Sequence, residues 1–303
     1  MGVNIYKIKK WIKMLSGNSL LHVNQSLGKA FVPGKVKGYY NDLTEKVLRD
    51  TDSLRNKTLP RMQNEKGEWI VFPTTIFQYG LGCYDLILLD CKPEYISQFK
   101  KCVVWAVENQ DENGGWDVAA FAGIDSPYGA MAQAEGCSLL LRAYMYYNDE
   151  EYLKCAKRAI DLMLTPTNDG GTAVYEESDL VLLEFTNCLP VLNGWIFALF
   201  GLYDYSIVTE EREYKAKLLQ TIRTLKRRIN EYDNGYWSKY DVGNSVASPF
   251  YHKLHICQLE AMSLIDNDSI WSEYKIKFEN YQNNYMNCSY AFCIKAIQKL
   301  VGK

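Results

Sequence analysis

Apolar residues follow two alternating patterns along most of the chain. Some stretches are apolar almost throughout, whereas in others apolar residues recur every three or four positions between charged ones. Helices buried on all sides produce the first pattern, and helices with one solvent-facing side produce the second. Stretches of the first kind begin near Gln78, Gln133, Asn193 and His255, at spacings of 55, 60 and 62 residues. Stretches of the second kind occupy 94–109, 150–163, 210–229 and 269–282.

A repeat of this length indicates supersecondary units that stack on their neighbours. We therefore predict a mainly α fold in which four pairs of helices form an (α/α) toroid, or an incomplete barrel open on one side. Residues 170–176 and 180–185 flank a short polar turn, which predicts a small β-hairpin inserted before the third inner helix. No linker rich in Pro, Gly or Ser interrupts the chain, so we expect one domain over residues 38–303 and an N-terminal arm over residues 1–37.

The arm starts with alternating basic and apolar residues, namely Ile5, Lys7, Ile8, Lys9, Lys10, Trp11, Ile12 and Lys13. This pattern predicts a short amphipathic helix, which either docks on the domain or lies against an anionic membrane surface. It lacks the continuous apolar region of a signal peptide, and no run of about 20 apolar residues elsewhere could span a membrane. Nine cysteines, an odd number without a C-x-x-C pair, favour reduced thiols and a cytoplasmic location.

Composition narrows the classes of partner. With 48% hydrophobic residues, a chain of 303 residues can bury a large core. Its formal net charge of −2 argues against nucleic acid as a partner, because nonspecific binding depends on a surplus of Lys and Arg. An anionic glycan would therefore need a local basic groove. Gly80 and Gly82 lack the third glycine of a dinucleotide fingerprint, and no phosphate-binding loop is present, so no nucleotide cofactor is implied.

The seventeen positions from 239 to 255 concentrate reactive side chains directly before an apolar helical run. They include Lys239, Tyr240, Tyr251, His252, Lys253 and His255. In a ring of helix pairs the inner helices start at the same end, so their first residues line one cavity, where free backbone N–H groups favour a carboxylate. The residues at these starts, which we expect to bind substrate, are Gln78, Gln133, Asn193, Tyr251 and His255.

Parts of this pattern also have purely structural explanations. The chain has 23 tyrosines, and tyrosine is usually an amphipathic packing residue. His252 and His255 lack the glutamate and the spacing of the helical zinc motif, so we predict no metal site. Residues 111–117 match a calcium loop only loosely, because the glycine and the closing glutamate are misplaced. A turn that exposes Trp116 fits this segment better, and an exposed indole could stack against a sugar.

Nine short segments, taken in order and at their spacing, resemble the C-terminal helical region of the glucuronyl C5-epimerases. The segments are 38–42, 72–82, 115–116, 130–133, 141–144, 183–185, 191–194, 201–204 and 251–252. These enzymes invert C5 of a uronic acid within a polysaccharide. The resemblance implies an isomerase without a cofactor, a uronic-acid-containing polysaccharide or lipid-linked glycan as the partner, and a homodimer.

The resemblance also implies roles for individual residues. Glu184, Tyr240 and Tyr251 would be catalytic, with a base that removes the C5 proton, an acid on the opposite face, and a cationic site that lowers the pKa of a tyrosine. Phe185 replaces one of the family's tyrosines, and Gly243 stands where the family can have an arginine. The candidates to replace that arginine as carboxylate ligands are Lys239, Lys253, His252 and His255.

Two other functions stay open. One is a lyase or hydrolase on the same scaffold, because an enolate at C5 can expel the C4 substituent. The other is a noncatalytic glycan-binding protein that lost its chemistry with Phe185. Unsaturated products that absorb in the ultraviolet would identify elimination, whereas a Tyr251→Phe change without effect on glycan affinity or biological function would favour the binding protein.

Overall fold

The structure is a computed structural model that describes residues 9, 11–14, 16, 19–64, 66–119 and 127–301. Its helices are α1 (Thr44–Arg49), α2 (Thr51–Asn56), α3 (Pro73–Asp90), α4 (Pro93–Glu108), α5 (Ala130–Tyr147), α6 (Glu150–Leu164), α7 (Leu192–Thr209), α8 (Arg212–Arg228), α9 (Pro249–Ile265), α10 (Ser269–Asn283) and α11 (Tyr285–Val301). Short 3₁₀ turns span Thr167–Asp169 and Ile229–Tyr232. Two antiparallel hairpins are formed by β1 (Met62–Gln63) with β2 (Trp69–Ile70), and by β3 (Ala173–Glu176) with β4 (Asp179–Leu182).

The predicted ring of helix pairs is confirmed. Helices α3, α5, α7 and α9 lie inside and pack in chain order, and each is followed by its outer partner, α4, α6, α8 or α10. The outer helices begin and end within two residues of the predicted positions. The inner helices are buried on nearly all sides, whereas the outer helices expose one side, as their apolar patterns require. The predicted β-hairpin is also present, as β3 and β4.

Local signals in the sequence define where these helices start. Proline occupies the first turn of α3, α4 and α9, where its missing N–H costs no hydrogen bond. At the starts of α6, α9 and α10, the side chains of Asp149, Ser248 and Asp268 accept a backbone N–H. The apolar pattern alone suggests that α3 begins near Gln78. The helix in fact begins at Pro73, so Gln78 lies in its second turn.

Trp116 lies in the core, so the prediction of an exposed indole is wrong. Only 1% of its side chain is accessible. Gly136 leaves the space for the ring, because a Cβ atom at that position would overlap the indole. The indole meets the ring of Phe77 at 4.7 Å, and its Nε1 donates to the carbonyl of Ala106 at 2.8 Å. A side chain enclosed in this way cannot stack against a sugar.

A buried ion pair holds the N-terminal arm against the ring. Arg142 of α5 and Asp204 of α7 approach to 2.6 Å, and neither side chain is exposed. The guanidinium group also donates to the carbonyls of Lys37 and Gly38 at 3.1 Å, and the Tyr40 hydroxyl donates to Asp204 at 2.7 Å. Such additional hydrogen bonds offset the cost of removing both charges from water. Three segments that carry the resemblance, 38–42, 141–144 and 201–204, therefore have a structural role.

Helix α11 packs on α10 and has no counterpart in the predicted repeat. Residues 11–14 are helical, and the ring of Trp11 stacks on Phe292 of α11 with centroids 5.4 Å apart. Lys9 is also helical, and the other positions of the predicted amphipathic helix lie outside the described residues. All nine cysteines are free thiols. Within the described ranges, no helix combines the length and the apolar character needed to cross a membrane.

Candidate active site

A cavity of about 280 Å³ lies where the inner helices α3, α7 and α9 begin. These helices line it with Thr74, Thr75, Gln78, Asn193, Phe197, Phe250, Tyr251 and Leu254. The arm, helix α1 and the hairpin end contribute Leu21, His22, Gln25, Lys46, Glu184 and Phe185. The start of α5 and the remaining segments complete the wall with Met62, Phe72, Val118, Gly129, Met131, Ala132 and Tyr240. The volume is close to the lower end of the range for small-molecule sites, so the cavity accommodates a short part of a larger ligand.

Glu184 follows strand β4 closely and is held between two inner helices. The carbonyl of Leu183 accepts the N–H of Ala130 at 2.8 Å, which attaches the hairpin end to the start of α5. Gly129 and Gly194 allow the close approach, because a Cβ atom on either would overlap Glu184. At Gly194 the added atom would lie 2.5 Å from both Cβ and Oε2 of the glutamate. The hairpin therefore positions a carboxyl group at the start of α7.

The charge of the Glu184 carboxylate has little stabilisation. Its Oε2 atom is buried and accepts no hydrogen bond from the part of the chain that the structure describes. Burial raises the pKa of this carboxyl group to about 7. Both protonation states are therefore populated near neutral pH, which suits a general base or acid that works at that pH.

Tyr240 and Tyr251 reach the cavity from different elements. Tyr240 lies in a loop that is attached to the start of α7, because its carbonyl accepts the N–H of Leu192 at 3.1 Å. The N–H of Tyr240 donates to the carbonyl of Ser245 at 2.7 Å. Tyr251 lies in the first turn of α9, and the two tyrosine rings meet with centroids 5.0 Å apart. The two phenols therefore form one pair in the cavity wall.

Helix α11 supports the loop that carries Tyr240. The side chain of Gln298 donates to the carbonyl of Asn244 at 2.6 Å and accepts the N–H of Val246 at 3.0 Å. The ammonium group of Lys295 lies 5.8 Å from the centroid of the Tyr240 ring. Burial lowers the pKa of Lys295 to about 8. The helix outside the ring thus contacts a candidate catalytic loop.

The pKa values of both tyrosines are raised and not lowered, which corrects the expectation drawn from the resemblance. Burial is the larger cause for each phenol, and the negative charge of Glu184 adds to it. Gly243 adds no charge at the position where the family can have an arginine. Both phenols are consequently protonated at neutral pH, which is the state in which a general acid begins its reaction.

Two ionisable residues near the cavity escaped the sequence analysis. Glu135 of α5 is buried and accepts a hydrogen bond from Gln78 at 2.7 Å, and burial raises its pKa to about 8. Lys46 of α1 lines the cavity and donates to the carbonyl of Leu21 at 2.7 Å. Burial lowers the pKa of Lys46 to about 8, against the opposite effect of the Glu135 charge. A charged residue inside an otherwise apolar helix was a signal for Glu135, but nothing comparable marks Lys46.

The predicted site residues divide into two groups. The three predicted catalytic residues, Glu184, Tyr240 and Tyr251, line the cavity together with Gln78 and Asn193. The predicted substrate-binding residues that do not line it are Trp116, Gln133, Lys239, His252, Lys253 and His255. In the described ranges, no group of three or more His, Cys, Asp or Glu side chains is placed to hold a metal ion.

His252 and His255 form a buried cluster around Ser238, which corrects their expected role as carboxylate ligands. The Ser238 N–H donates to Nδ1 of His252 at 3.1 Å, and the serine hydroxyl lies 2.8 and 2.9 Å from Nδ1 of His252 and His255. Nε2 of His252 donates to the carbonyl of Phe278 at 3.0 Å, and its ring stacks on Trp237. Burial lowers the pKa of both histidines, that of His252 to about 3. Neutral, enclosed rings cannot neutralise a substrate carboxylate.

Comparison with known sequences places part of this site, including Glu184, Tyr240 and Tyr251, in a region that matches a known family. The family model described as "D-glucuronyl C5-epimerase C-terminus" matches residues 110–280, more than half of the chain. The chain is 30% identical over 216 residues to the D-glucuronyl C5-epimerase of Caenorhabditis elegans, and the matched region covers 60% of this chain and 34% of that protein. It is 28% identical over 156 residues to an uncharacterized protein of Methanocaldococcus jannaschii, and here the matched region covers 50% of this chain and 51% of that protein. The chain thus spans between a third and about half of the length of these relatives.

Comparison with solved structures concerns the fold alone. The GH76A alpha-1,6-mannanase of Salegentibacter sp. HEL1_6 is similar with a TM-score of 0.50. The similarity covers 78% of this chain and 67% of that chain, at 15% sequence identity. The likeness supports the (α/α) toroid architecture.

Proposed function

The chain belongs to the D-glucuronyl C5-epimerase C-terminus family, and from that premise we propose that it inverts C5 of a uronic acid within a polysaccharide or a lipid-linked glycan. One arrangement carries the proposal. Glu184, with a pKa of about 7, shares a small cavity with the protonated phenols of Tyr240 and Tyr251. Epimerisation needs a base and an acid that act on opposite faces of one carbon, and this cavity offers both without a cofactor.

In the proposed reaction the Glu184 carboxylate removes the proton from C5 of a glucuronic acid residue. The electron pair of the broken C–H bond delocalises into the adjacent carboxylate. Tyr251 then donates its phenolic proton to C5 from the other face, which produces an iduronic acid residue. Glu184 releases its proton and Tyr251 regains one from solvent, so the enzyme returns to its initial state. Tyr240 hydrogen-bonds the substrate carboxylate or the Tyr251 phenolate.

The intermediate requires a cation, because a carbanion next to an ionised carboxylate is otherwise too basic. We assign this role to Lys46, which lines the cavity. A bound carboxylate favours the charged form of a lysine whose pKa burial has lowered to about 8. Lys46 would therefore take over the task that the arginine replaced by Gly243 can perform in the family.

Two polar atoms of the cavity residues support a sugar ligand. Oε1 of Gln25 and Oδ1 of Asn193 are buried and accept no hydrogen bond from any described residue. Buried acceptors without a donor are costly, so a ligand that supplies hydroxyl groups gains from meeting them. Sugar hydroxyls have this chemistry.

The direct test is exchange at C5 in deuterated water. The protein would be incubated with glucuronate–hexosamine polysaccharides that are unmodified, N-deacetylated or sulfated, and NMR would follow deuterium at C5 and the appearance of iduronate. We expect both for at least one glycan, and we expect Glu184→Gln and Tyr251→Phe to abolish them.

Other products would identify the alternatives. Unsaturated uronates that absorb in the ultraviolet would indicate a lyase, because the same carbanion then expels the C4 substituent. Tight glycan binding without exchange, unchanged in Tyr251→Phe, would indicate a noncatalytic binding protein. Either result would replace the proposed epimerase activity.

A further inference from the structure

Helix α11 has an outward face made almost entirely of apolar side chains. At 100° per residue, one side of this helix holds Tyr285, Met286, Tyr290, Phe292, Ile297 and Leu300. Each of these side chains is between 37% and 83% exposed. Soluble surfaces carry scattered apolar residues, but a contiguous apolar helix face usually contacts something. The opposite side of the helix holds Ala291 and Gln298, which face the protein.

The N-terminal helical residues extend this face. The Trp11 ring stacks on Phe292 with the two planes 10° apart, which places residues 11–14 beside α11. Ile12 is 58% exposed, and Lys9 and Lys13 are exposed as well. We call the combined surface, formed by residues 9 and 11–14 and the apolar side of α11, the terminal face.

The two segments of the chain that contain this surface differ in charge from the rest of the protein. Residues 1–41 contain seven lysines and residues 280–303 contain three, and neither segment has an Asp or a Glu. Because the whole chain has a formal charge of −2 and these segments carry +10, the remainder carries −12. The terminal face is thus built from two stretches of the chain that contain no acidic residue, and it carries the exposed lysines Lys9 and Lys13.

We propose that the terminal face binds the surface of a membrane that contains anionic lipid. Exposed Tyr, Met, Phe, Ile and Leu side chains next to lysines are the composition of helices that lie in the membrane interface. Each lysine near an anionic bilayer contributes attraction that a neutral surface does not offer. A second copy of this chain fits the face less well, because a symmetric contact would bring the same lysines together. This inference extends the amphipathic pattern of the N-terminal segment to a second helix, and it does not depend on the reaction.

The test is co-sedimentation of the full chain with vesicles. We expect the protein to bind vesicles of phosphatidylglycerol and phosphatidylcholine, to bind pure phosphatidylcholine at least about tenfold more weakly, and to dissociate at high salt. The double variant Met286→Glu with Ile297→Glu should lose binding by about tenfold or more. The matched control, Leu219→Glu with Ile276→Glu, changes two apolar residues of α8 and α10 that are also more than half exposed, and it should bind as the wild type does.

A third variant tests the charges. Lys9→Gln with Lys13→Gln should weaken binding by about fivefold for each lysine removed. Circular dichroism and thermal unfolding would verify that every variant is folded. Sedimentation with neither vesicle, or equally with both, would overturn the proposal. The proposal would also be overturned if light scattering showed concentration-dependent dimers that the Met286→Glu and Ile297→Glu variant abolishes, and if the wild type did not bind vesicles.

Discussion

Replacement of Gly194 by alanine tests how closely the position of Glu184 controls the chemistry. The added Cβ atom would lie 2.5 Å from Cβ and Oε2 of Glu184, whereas unstrained carbon contacts lie about 3.5–4.0 Å apart. The carboxyl group or the start of α7 must therefore move by roughly 1 Å. A displacement of this size typically reduces a rate by about a hundredfold, and overpacking costs about 1–3 kcal/mol of stability. We expect both effects, measured by C5 deuterium exchange and by chemical denaturation.

Gly201→Ala is the matched control, because it adds the same atom to the same helix. There the new Cβ would lie 2.5–2.6 Å from backbone and side-chain atoms of Ala134, away from Glu184. It should destabilise the protein by a similar amount but leave the exchange rate of the folded fraction within about threefold. If Gly194→Ala retains full activity while folded, or if both variants lose activity equally, the positioning argument is refuted.

Three further predictions concern charge. Lys46→Met should raise the KM for uronate glycans by about tenfold or more, whereas Lys253→Met, which changes a residue outside the cavity, should leave the KM unchanged. Equal effects of the two variants in steady-state kinetics would contradict the role of Lys46 as the carboxylate ligand. The exchange rate should rise as the pH increases through about 7, where Glu184 loses its proton, and fall above about 8, where Lys46 loses its proton in the protein without substrate. A flat pH–rate profile would exclude Glu184 as the base and Lys46 as the cation. Glu135→Gln should become more stable relative to the wild type as the pH rises from 4.5 to about 8, because the wild-type carboxyl group, with its raised folded pKa, stabilises the folded state only while it is protonated. Chemical denaturation of both proteins at pH 5 and at pH 8.5 would measure this difference in stability.

The ring of helices could be predicted because each helix is described by its own apolar pattern. The outer helices show this most clearly, since their alternation of charged and apolar residues determines both their length and their buried side. The hairpin was equally accessible, because a polar turn between two short apolar strands is a local feature. Tyr240 and Tyr251 stood out within the reactive segment 239–255, whereas Glu184 and the catalytic roles of all three residues came from the family resemblance.

The errors arise where an inner helix is apolar on every side. Helix α9 gives no indication of which residues face the cavity, so His252 and His255 seemed equivalent to Tyr251 although they face Ser238. Trp116 is buried because of Gly136, which is twenty residues away and belongs to another element. Lys46 reaches the cavity from outside the helix repeat, and only the packing of α1 on α3 brings it there.

The attachment of Gln298 to the Tyr240 loop has a consequence for where an active unit begins and ends. The sequence shared with the family covers residues 110–280, and it includes Glu184, Tyr240 and Tyr251. Yet Lys46 enters the cavity from before this region, and Gln298 holds the loop from beyond it. A protein trimmed to the shared region would keep its proposed acid and base but lose its cation and the brace of its loop. The part of the chain that matches the family and the part that forms the proposed site therefore have different boundaries.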